Sequence, residues 1–256
     1  MKLDELLATV EQVAAENHLA KPFIVGGVCR DRLIGLIDKK SRIKDLDLTT
    51  GNKDSLKLAV LLSQKLEGSR YATYDDGHAS VDYLGIHLDF SSNFIAQGVE
   101  QEIRKIGKEP TPMLLELYSR DFTMNTLLES LDFTAMYDLT GEGMNDIKLK
   151  IIRCPINPEI TISVDPRRIL RAIKFSIKFG FEIADDVKAA MLNNHEKITT
   201  LPTKFIQDKT TEIMVLDSEG DKGIDMLIEY KLLPLIPMTK TISDMLIQRR
   251  RLVSAL

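Results

Sequence analysis

The chain has 256 residues, of which 44% are hydrophobic and 28% charged, with a formal net charge of −4. This composition is typical of folded globular proteins and excludes the disordered and fibrous classes. The two cysteines, Cys29 and Cys154, are too few for a disulfide scaffold and lack metal-ligand spacing, so two buried thiols and a reducing, cytoplasmic location are expected. Because the net charge is negative, binding of nucleic acid would require a local basic patch.

The N-terminal region combines acidic residues with apolar residues at helical spacing over residues 1–19. This pattern predicts an amphipathic helix and not a signal peptide. No apolar run in the chain is long enough to span a bilayer, so no membrane partner is expected. A short buried strand at Phe23–Val25 then ends at Gly26-Gly27, and a helix is predicted over 28–36.

The next segment predicts three strands around one helix. Residues 45–50 alternate polar and apolar side chains, which favours a strand with one buried face, and residues 54–66 have helical periodicity. Strands at 79–84 and 86–91 are close enough to form a hairpin at Gly85. A mostly helical region over 98–117 follows, and two further strands are predicted to pair at 135–139 and 150–153.

The part of the chain beyond Pro158 gives no strand pattern, and short turns with Pro or Gly separate its helical segments. Those helices are predicted at 166–179, 185–193, 204–216, 222–230 and 243–256. The sequence therefore predicts an α+β protein with a mixed-sheet domain at 1–153, followed by an all-helical domain at 154–256.

Two aspartates interrupt the strand predicted at 45–50. Side chains two residues apart on a strand point to the same face, so Asp45 and Asp47 would project together while Leu46 and Leu48 face the core. Two carboxylates on one face repel each other unless a divalent cation or a basic partner, Lys44 or Arg42, lies between them. Solvent-facing acids on an edge strand are the alternative.

The Gly26-Gly27 turn is a candidate phosphate site. Backbone N–H groups at the start of a helix can approach phosphate oxygens, and Arg30 would add a cation in the first helical turn. Another acid, Asp89, lies on a later predicted strand between apolar neighbours. Three carboxylates on neighbouring strands can hold two Mg²⁺ ions about 4 Å apart, as in phosphoryl transfer, although an exposed strand acid would give the same pattern at Asp89.

Five motifs, in order, resemble the bacterial-type tRNA nucleotidyltransferase and poly(A) polymerase family, whose members extend RNA 3′ ends. The resemblance covers residues 22–182. The motifs are GGVCRD, DLD, SRDFTMNTLL, YDLTGEGMNDIKLKIIR and DPRRILRAIKFSIKFGFEI. The resemblance implies a polymerase-β-like catalytic head and a helical neck. It also implies template-independent addition of CMP, AMP or both, from CTP and ATP, to the 3′ end of tRNA or a tRNA-like RNA.

The resemblance also implies roles for individual head residues. Asp45 and Asp47 would bind the metals as catalytic residues, with Asp89 assisting. Gly27 and Arg30 would lie along the nucleoside triphosphate. The remaining head residues, with roles in holding the turn or in contacting ribose and phosphates, are Gly26, Asp31, Arg120, Asp121 and Asn125. A helix cap at Asp121 is compatible with such a role.

In the neck, Asp165 and Pro166 form a strong helix start signal, and Asp165, Arg168 and Arg171 share one face at spacings of three. A salt-bridged helix surface explains that spacing without any ligand. The resemblance implies instead that Asp165 and Arg168 read the base edge of the nucleotide and that Arg171 lies near its phosphates. RNA would bind the basic helix after Asp165 and the triplet Arg249–Arg251.

Two departures from the family pattern bear on specificity. Val164 stands where relatives have Glu, and the segment after Asp89 reads Ser91-Ser92-Asn93-Phe94 instead of Thr-Phe-Arg and a flexible loop. These departures leave open whether the protein adds C strictly before A.

Two alternatives to addition of nucleotides to RNA remain. One is transfer of a nucleotide to a small molecule or protein, and the other is a non-catalytic RNA-binding module. A partner or oligomer would supply further RNA binding. Among the histidines, His87 alternates with Asp89 and could therefore face the site, but packing is the prediction.

Overall fold

The computed structural model describes residues 2–37, 43–75, 77–91, 94–216 and 222–253, with side chains described as far as residue 247. The chain forms two compact units, Met1–Leu149 and Lys150–Leu256. Each unit is described separately below. The functional domains assigned from sequence, 1–153 and 154–256, stay predictions.

The first unit contains a mixed sheet with strand order β3-β4-β5-β2-β1-β6-β7. Of its described neighbours, β2 and β5 pair in parallel and the other pairs are antiparallel. The strands are β1 Phe23–Val25, β2 Asp45–Thr49, β3 Arg70–Thr73, β4 Ala79–Tyr83, β5 Ile86–Phe90, β6 Leu128–Glu129 and β7 Met136–Tyr137. The helices are α1 Leu3–Glu16, α2 Gly27–Leu33, α3 Asp54–Lys65, α4 Val99–Lys105, α5 Pro112–Tyr118 and α6 Gly143–Leu149.

The core of this unit lies against the central strands β1, β2 and β5. Leu46, Leu48, Leu88 and Phe90 are fully buried, so the apolar alternation of β2 and β5 sets one face of each strand against the core. Burying a side chain of this size contributes roughly 1.5–3 kcal/mol relative to leaving it exposed. The opposite face of both strands is thereby left to polar residues.

The hairpin predicted at Gly85 is confirmed. Leu84 and Gly85 both have positive φ, 50° and 78°, which is the backbone of a two-residue turn matched to strand twist. The strand pair predicted between 135–139 and 150–153 is wrong, because β7 pairs with β6 and the later segment pairs elsewhere. Strands of two residues carry too little pattern to identify their partners.

The second unit is helical apart from one short parallel pair. Its helices are α7 Pro158–Val164, α8 Arg167–Phe179, α9 Asp185–Asn194, α10 Thr203–Leu216, α11 Lys222–Glu229 and α12 Lys240–Val253. Strands β8 Ile151–Ile152 and β9 Glu182–Ile183 pair in parallel. Strand β9 is a two-residue exception to the prediction that no strand follows Pro158, and α7 was not predicted. The predicted class, α+β with a mixed sheet, is confirmed.

Both cysteines are free and buried, as expected from their number and spacing. Burial raises the pKa of the Cys29 thiol, which keeps it in the protonated, unreactive form. Within the described part of the chain, none of the helices combines the length and the apolar character needed to cross a membrane.

Candidate active site

The polar face of β2 and β5 brings three acids together. In the parallel register Asp47 lies opposite Asp89, and Asp45 lies opposite His87. Asp45 and Asp47 are exposed while Leu46 and Leu48 are buried, so the face predicted from two-residue periodicity is confirmed. Neighbouring strands lie about 4.8 Å apart, so the side chains of Asp47 and Asp89 are direct neighbours.

The Gly26 turn closes on this acidic face. Gly26 has φ +79°, and a Cβ added to it would lie 2.8 Å from Asp47 Oδ2 and 3.5 Å from Arg120 Nη1. A side chain at residue 26 would therefore be strained and would displace the carboxylate. Gly27 is less constrained, because its nearest contact would be Arg30 Nη2 at 3.5 Å. Gly26 thus has the stricter requirement for glycine.

The His87 side chain is only partly buried and lies against the acids of this face, so the prediction that it packs is wrong. Its Nδ1 lies 2.7 Å from Asp82 Oδ1, and its Nε2 lies 3.4 Å from Asp89 Oδ1. Burial opposes charging of the ring, but the hydrogen bond to Asp82 and the negative charges of Asp89, Asp82 and Asp45 outweigh it and raise the pKa of His87. Its alternation with Asp89 was the sequence signal for this position.

The donor set on this face fits a divalent cation. Asp45, His87 and Asp89 each offer one ligand atom, and these atoms all lie within 4.8 Å of one another. Asp89 Oδ1 is a buried atom that makes no hydrogen bond to any described group. Carboxylate oxygens and an imidazole nitrogen are ordinary ligands of divalent ions, so the strand edge offers the chemistry that a bound cation needs.

Arg30 is buried in a polar network. Its Nη1 donates to Asn125 Oδ1 at 2.7 Å and its Nε donates to Asp31 Oδ1 at 2.8 Å. Asn125 Nδ2 in turn donates to Asp121 Oδ1 at 2.9 Å, and the same oxygen accepts from the Phe122 backbone N–H. The structure therefore brings four of the predicted nucleotide-binding residues together and also gives Asp121 the cap-like backbone contact.

Glu116 was missed in the sequence, yet it connects three parts of the head. The side chain is 3% exposed and accepts hydrogen bonds from Thr49 Oγ1 at 2.5 Å and Ser91 Oγ at 2.9 Å. Arg120 Nη2 donates to Glu116 Oε1 at 2.9 Å. Glu116 thus fixes Arg120 from one turn earlier on α5. The four-residue spacing of Glu116 and Arg120 was the sequence signal that could have found this pair.

The divergent loop after Asp89 is described only in part, because Ser92 and Asn93 lie outside the described residues.

The YDLTGEGMND motif supports the segment that carries Asp121 and Asn125. Asp146 is fully buried and accepts a hydrogen bond from Thr123 Oγ1 at 2.7 Å. A Cβ on Gly143 would lie 2.6 Å from the Thr123 carbonyl oxygen, so glycine allows the two backbones to approach. This motif therefore contributes packing beneath the candidate nucleotide site.

In the second unit, Asp165 caps the start of α8 and pairs with arginines. Its Oδ1 accepts from the Arg167 backbone N–H at 3.1 Å and from Arg167 Nε at 2.8 Å. Arg168 Nε lies 3.8 Å from Asp165 Oδ2, while Arg168 is 7% exposed and donates to the Thr161 carbonyl. The Arg171 guanidinium lies 5.3 Å from the centre of the Phe175 ring. The salt-bridged surface considered for this face is present, and the nucleotide roles stay predictions.

The basic character of α8 is partly compensated. Arg167 pairs with Asp165, and Lys174 forms an ion pair with Glu212. Lys178 lies over the Phe179 ring, 5.0 Å from its centre. The side chains of the predicted basic triplet 249–251 lie outside the described part. The α8 patch is therefore less positive than its sequence indicates.

Comparison with known proteins identifies the architecture around the acids. Residues 22–153 match the model of the Poly A polymerase head domain family, a range that holds Asp45, Asp47 and Asp89. The chain belongs to this family. The nucleotidyltransferase fold expected for the head is thereby confirmed.

Curated relatives of the chain are named as tRNA nucleotidyltransferases, CCA-adding enzymes or poly(A) polymerases. The chain is 26% identical over 200 residues to a tRNA nucleotidyltransferase of Schizosaccharomyces pombe, covering 71% of this chain and 40% of that protein. It is 25% identical to the CCA-adding enzyme of Oceanobacillus iheyensis, with coverage of 84% and 51%, and 27% identical to poly(A) polymerase I of Escherichia coli, with coverage of 84% and 46%. The chain therefore spans about half the length of the curated relatives it matches.

Solved structures agree with this fold. A tRNA nucleotidyltransferase complexed with a primer tRNA and an incoming ATP analogue has a TM-score of 0.61 and 25% identity, covering 87% of this chain and 59% of that one. An apo tRNA-processing enzyme has a TM-score of 0.69 and 22% identity, with coverage of 98% and 64%. Both structures therefore support the fold.

Proposed function

We propose that this protein is a template-independent RNA nucleotidyltransferase that adds CMP, AMP or both, from CTP and ATP, to the 3′ end of tRNA or a tRNA-like RNA. One observation carries the proposal: Asp47 and Asp89 lie side by side on parallel strands, with Asp45 on the same face. Membership of the head-domain family supports it. So do the names of relatives that add CCA or poly(A).

The acids are proposed to hold divalent cations, with Mg²⁺ as the expected ion and Asp45 and Asp47 as principal ligands. When bound, such ions lower the pKa of an attacking hydroxyl and neutralise charge on a leaving pyrophosphate. The protein holds these carboxylates rigidly. Asp45 and Asp47 lie on β2, and Leu46 between them is fully buried and anchors the strand. Carboxylates fixed in this way keep their positions when solvent is displaced.

The nucleoside triphosphate is proposed to lie along the Gly26-Gly27 turn, with Arg30 and Arg120 near its phosphates. The 3′-hydroxyl of the RNA would lose its proton to solvent and its oxygen would form a bond to the α-phosphorus, while the bond from that phosphorus to the bridging oxygen breaks and pyrophosphate leaves. Arg120 is braced by Glu116, and Arg30 by Asp31 and Asn125. Arginines held in this way do not need to reorganise when negative charge develops.

Base selection is assigned to the neck residues Asp165, Arg168 and Arg171. The Asp165 carboxylate accepts two hydrogen bonds from the exposed Arg167 side chain, so reading a base edge would require exchange of Arg167 for the base. Val164 leaves the order of C and A addition relaxed in this proposal. RNA would bind through α8 and Arg249–Arg251, and a partner or second copy would add further contacts.

The deciding experiment uses the purified full chain, tRNA that lacks its 3′ CCA end, and each nucleoside triphosphate alone or combined. Labelled CMP or AMP should be incorporated, and sizing of the products gives the number of additions. The double variant Asp45→Ala/Asp47→Ala should abolish incorporation. Activity that persists in this variant, or no incorporation by the wild type on any RNA, would refute the proposal. Transfer to a non-RNA acceptor would appear as RNA-independent consumption of nucleotide.

RNA binding through a basic helix predicts steep salt dependence, because each neutralised phosphate releases condensed counterions. Affinity for the trimmed tRNA should fall markedly between low and physiological salt. Binding that is independent of salt would count against the placement of RNA on α8.

A further inference from the structure

The His87 ring has an acid near each of its nitrogens. Asp82 Oδ1 lies 2.7 Å from Nδ1, and Asp89 Oδ1 lies 3.4 Å from Nε2. Asp82 and His87 are direct partners in the antiparallel β4–β5 register, so the short hairpin itself sets their separation. The ring is therefore oriented by the fold, with Nε2 toward the acidic face of β2 and β5.

The contact with Asp82 also selects the tautomer of a neutral ring. An ionised carboxylate only accepts hydrogen bonds, so the proton of the neutral imidazole lies on Nδ1 and the lone pair on Nε2. This carboxylate–imidazole arrangement is the one that commonly supports a metal-ligating histidine, in which the outer acid fixes the ring and raises its basicity. Asp82 thus acts as an orienting partner for a ligand at Nε2.

The atoms facing Nε2 complete a three-ligand set. Asp45 is the parallel-strand partner of His87, and one ligand atom each from Asp45, His87 and Asp89 falls within 4.8 Å of the others. Ligand atoms around one small divalent ion lie about 3–4 Å apart, given metal–ligand distances near 2.1 Å, so modest side-chain rotation closes the set. Asp89 Oδ1 is buried without a hydrogen bond to any described group, and a cation would satisfy it.

We propose that Asp45, His87 and Asp89 form a site for a divalent transition-metal ion of the Mn²⁺, Co²⁺ or Zn²⁺ class, which it binds more tightly than Mg²⁺. An imidazole nitrogen suits these ions, whereas Mg²⁺ prefers oxygen ligands and gives up its water reluctantly. The inference rests on the proposed function only in sharing Asp45 with the ligands proposed there for Mg²⁺, an ion that this three-residue site binds more weakly. Binding itself requires neither nucleotide nor RNA.

The test is titration of the metal-free full chain with Co²⁺ at about pH 8, where metal ligands are deprotonated. Calorimetry gives the affinity, and the visible absorption of Co²⁺ reports nitrogen ligation. We expect Co²⁺ to bind more tightly than Mg²⁺, because one of the three ligands is an imidazole nitrogen and Mg²⁺ prefers oxygen ligands. His87→Gln should weaken Co²⁺ binding by at least about tenfold while changing Mg²⁺ affinity much less.

A second variant and two controls keep the result interpretable. Asp82→Asn removes only the orienting acid and should weaken Co²⁺ binding by about 10- to 100-fold. His18→Asn changes an exposed histidine after α1 whose φ of 54° asparagine tolerates, and it should leave binding unchanged. His78→Gln tests the other imidazole near Asp89, whose Nε2 lies 3.9 Å from Oδ1, and should have a smaller effect than His87→Gln.

Two results would overturn the inference: Co²⁺ affinity no higher than Mg²⁺ affinity, or wild-type Co²⁺ binding by a folded His87→Gln variant. Circular dichroism establishes that each variant is folded. If Co²⁺ binds as expected but no nucleotide is incorporated, the metal inference stands and the proposed function fails. If nucleotide is incorporated with Mg²⁺ but the protein shows no preference for Co²⁺, the proposed function stands and the metal inference fails.

Discussion

Asp47 on β2 and Asp89 on β5 are partners in a parallel register, although α3, β3 and β4 separate them along the chain. Like charges at directly paired strand positions repel each other, so this arrangement favours a bound cation.

We therefore expect divalent ions to raise the thermal unfolding temperature of the metal-free protein, and Asp89→Asn to remove most of that rise, since ligands that bind only the folded state stabilise it. Differential scanning calorimetry with and without metal measures the shift. Asp4→Asn, which changes an acid in the first turn of α1, serves as the control. An undiminished shift in Asp89→Asn would contradict the assignment.

Gly26 and Gly35 offer a matched pair for testing the turn. Both have positive φ, 79° and 77°, but a Cβ at Gly26 would meet Asp47 Oδ2 at 2.8 Å, whereas at Gly35 it would meet nothing within 4 Å. Gly35→Ala should cost about 1–2 kcal/mol of stability from backbone strain at positive φ. Gly26 has ψ −131°, outside the left-handed helical region, so Gly26→Ala should cost about 1–3 kcal/mol. Gly26→Ala alone should also lower nucleotide incorporation, on the order of 100-fold, because the added Cβ displaces the Asp47 carboxylate, a proposed metal ligand. Equal activity losses in both variants would show that strain alone is responsible.

Glu116 and Glu100 each pair with an arginine four residues later, in contrasting surroundings. Glu116 is buried and accepts from Thr49, Ser91 and Arg120, whereas the Glu100–Arg104 pair has side chains that are 55% and 53% exposed. Glu116→Gln should lower the free energy of unfolding by about 1–3 kcal/mol. Glu100→Gln should lower it by less than about 0.5 kcal/mol. Denaturant unfolding measures both, and similar small losses would refute the bracing role.

Asp132 gives a pH prediction. Hydrogen bonds from Ser130 Oγ and from the hydroxyl and backbone N–H of Thr134 lower the pKa of its carboxyl from 3.8 to about 2. Because the folded-state pKa is depressed, the stabilisation is present above pH 3.8 and is lost as the pH falls toward 2. Wild type and Asp132→Asn should therefore differ in unfolding temperature at neutral pH and converge in acid. A difference that is constant with pH would contradict this cause.

The sequence predicted the acidic face well, because two-residue periodicity alone determines that Asp45 and Asp47 project together and Leu46 does not. The hypothesis of three acids required the strands of Asp47 and Asp89 to be neighbours, but no local pattern identifies that pairing, since strand order depends on packing of the whole sheet. For the same reason the place of His87 was misjudged: its relation to Asp82 and Asp45 exists only once three strands are side by side.

Some features of the fold have no recognisable pattern in the sequence. Strand β3, Arg70–Thr73, is exposed at every residue, so it lacks the apolar alternation by which strands are detected. Arg30 is still predicted to lie along a nucleotide. What the sequence did not indicate is how its side chain is held, because the contact with Asn125 is long-range and spacing within α2 does not encode it.

The parallel pairing of β2 with β5 has a consequence for how the protein folds. A hairpin such as β4–β5 closes a short loop, whereas docking β5 beside β2 must first close the long loop through α3 and β3, at a larger entropic cost. Cation binding requires β5 to be docked beside β2, because the proposed ligands lie on both strands. During refolding it should therefore be acquired after hairpin structure, which makes metal affinity a sensitive reporter of whether the head has reached its native topology.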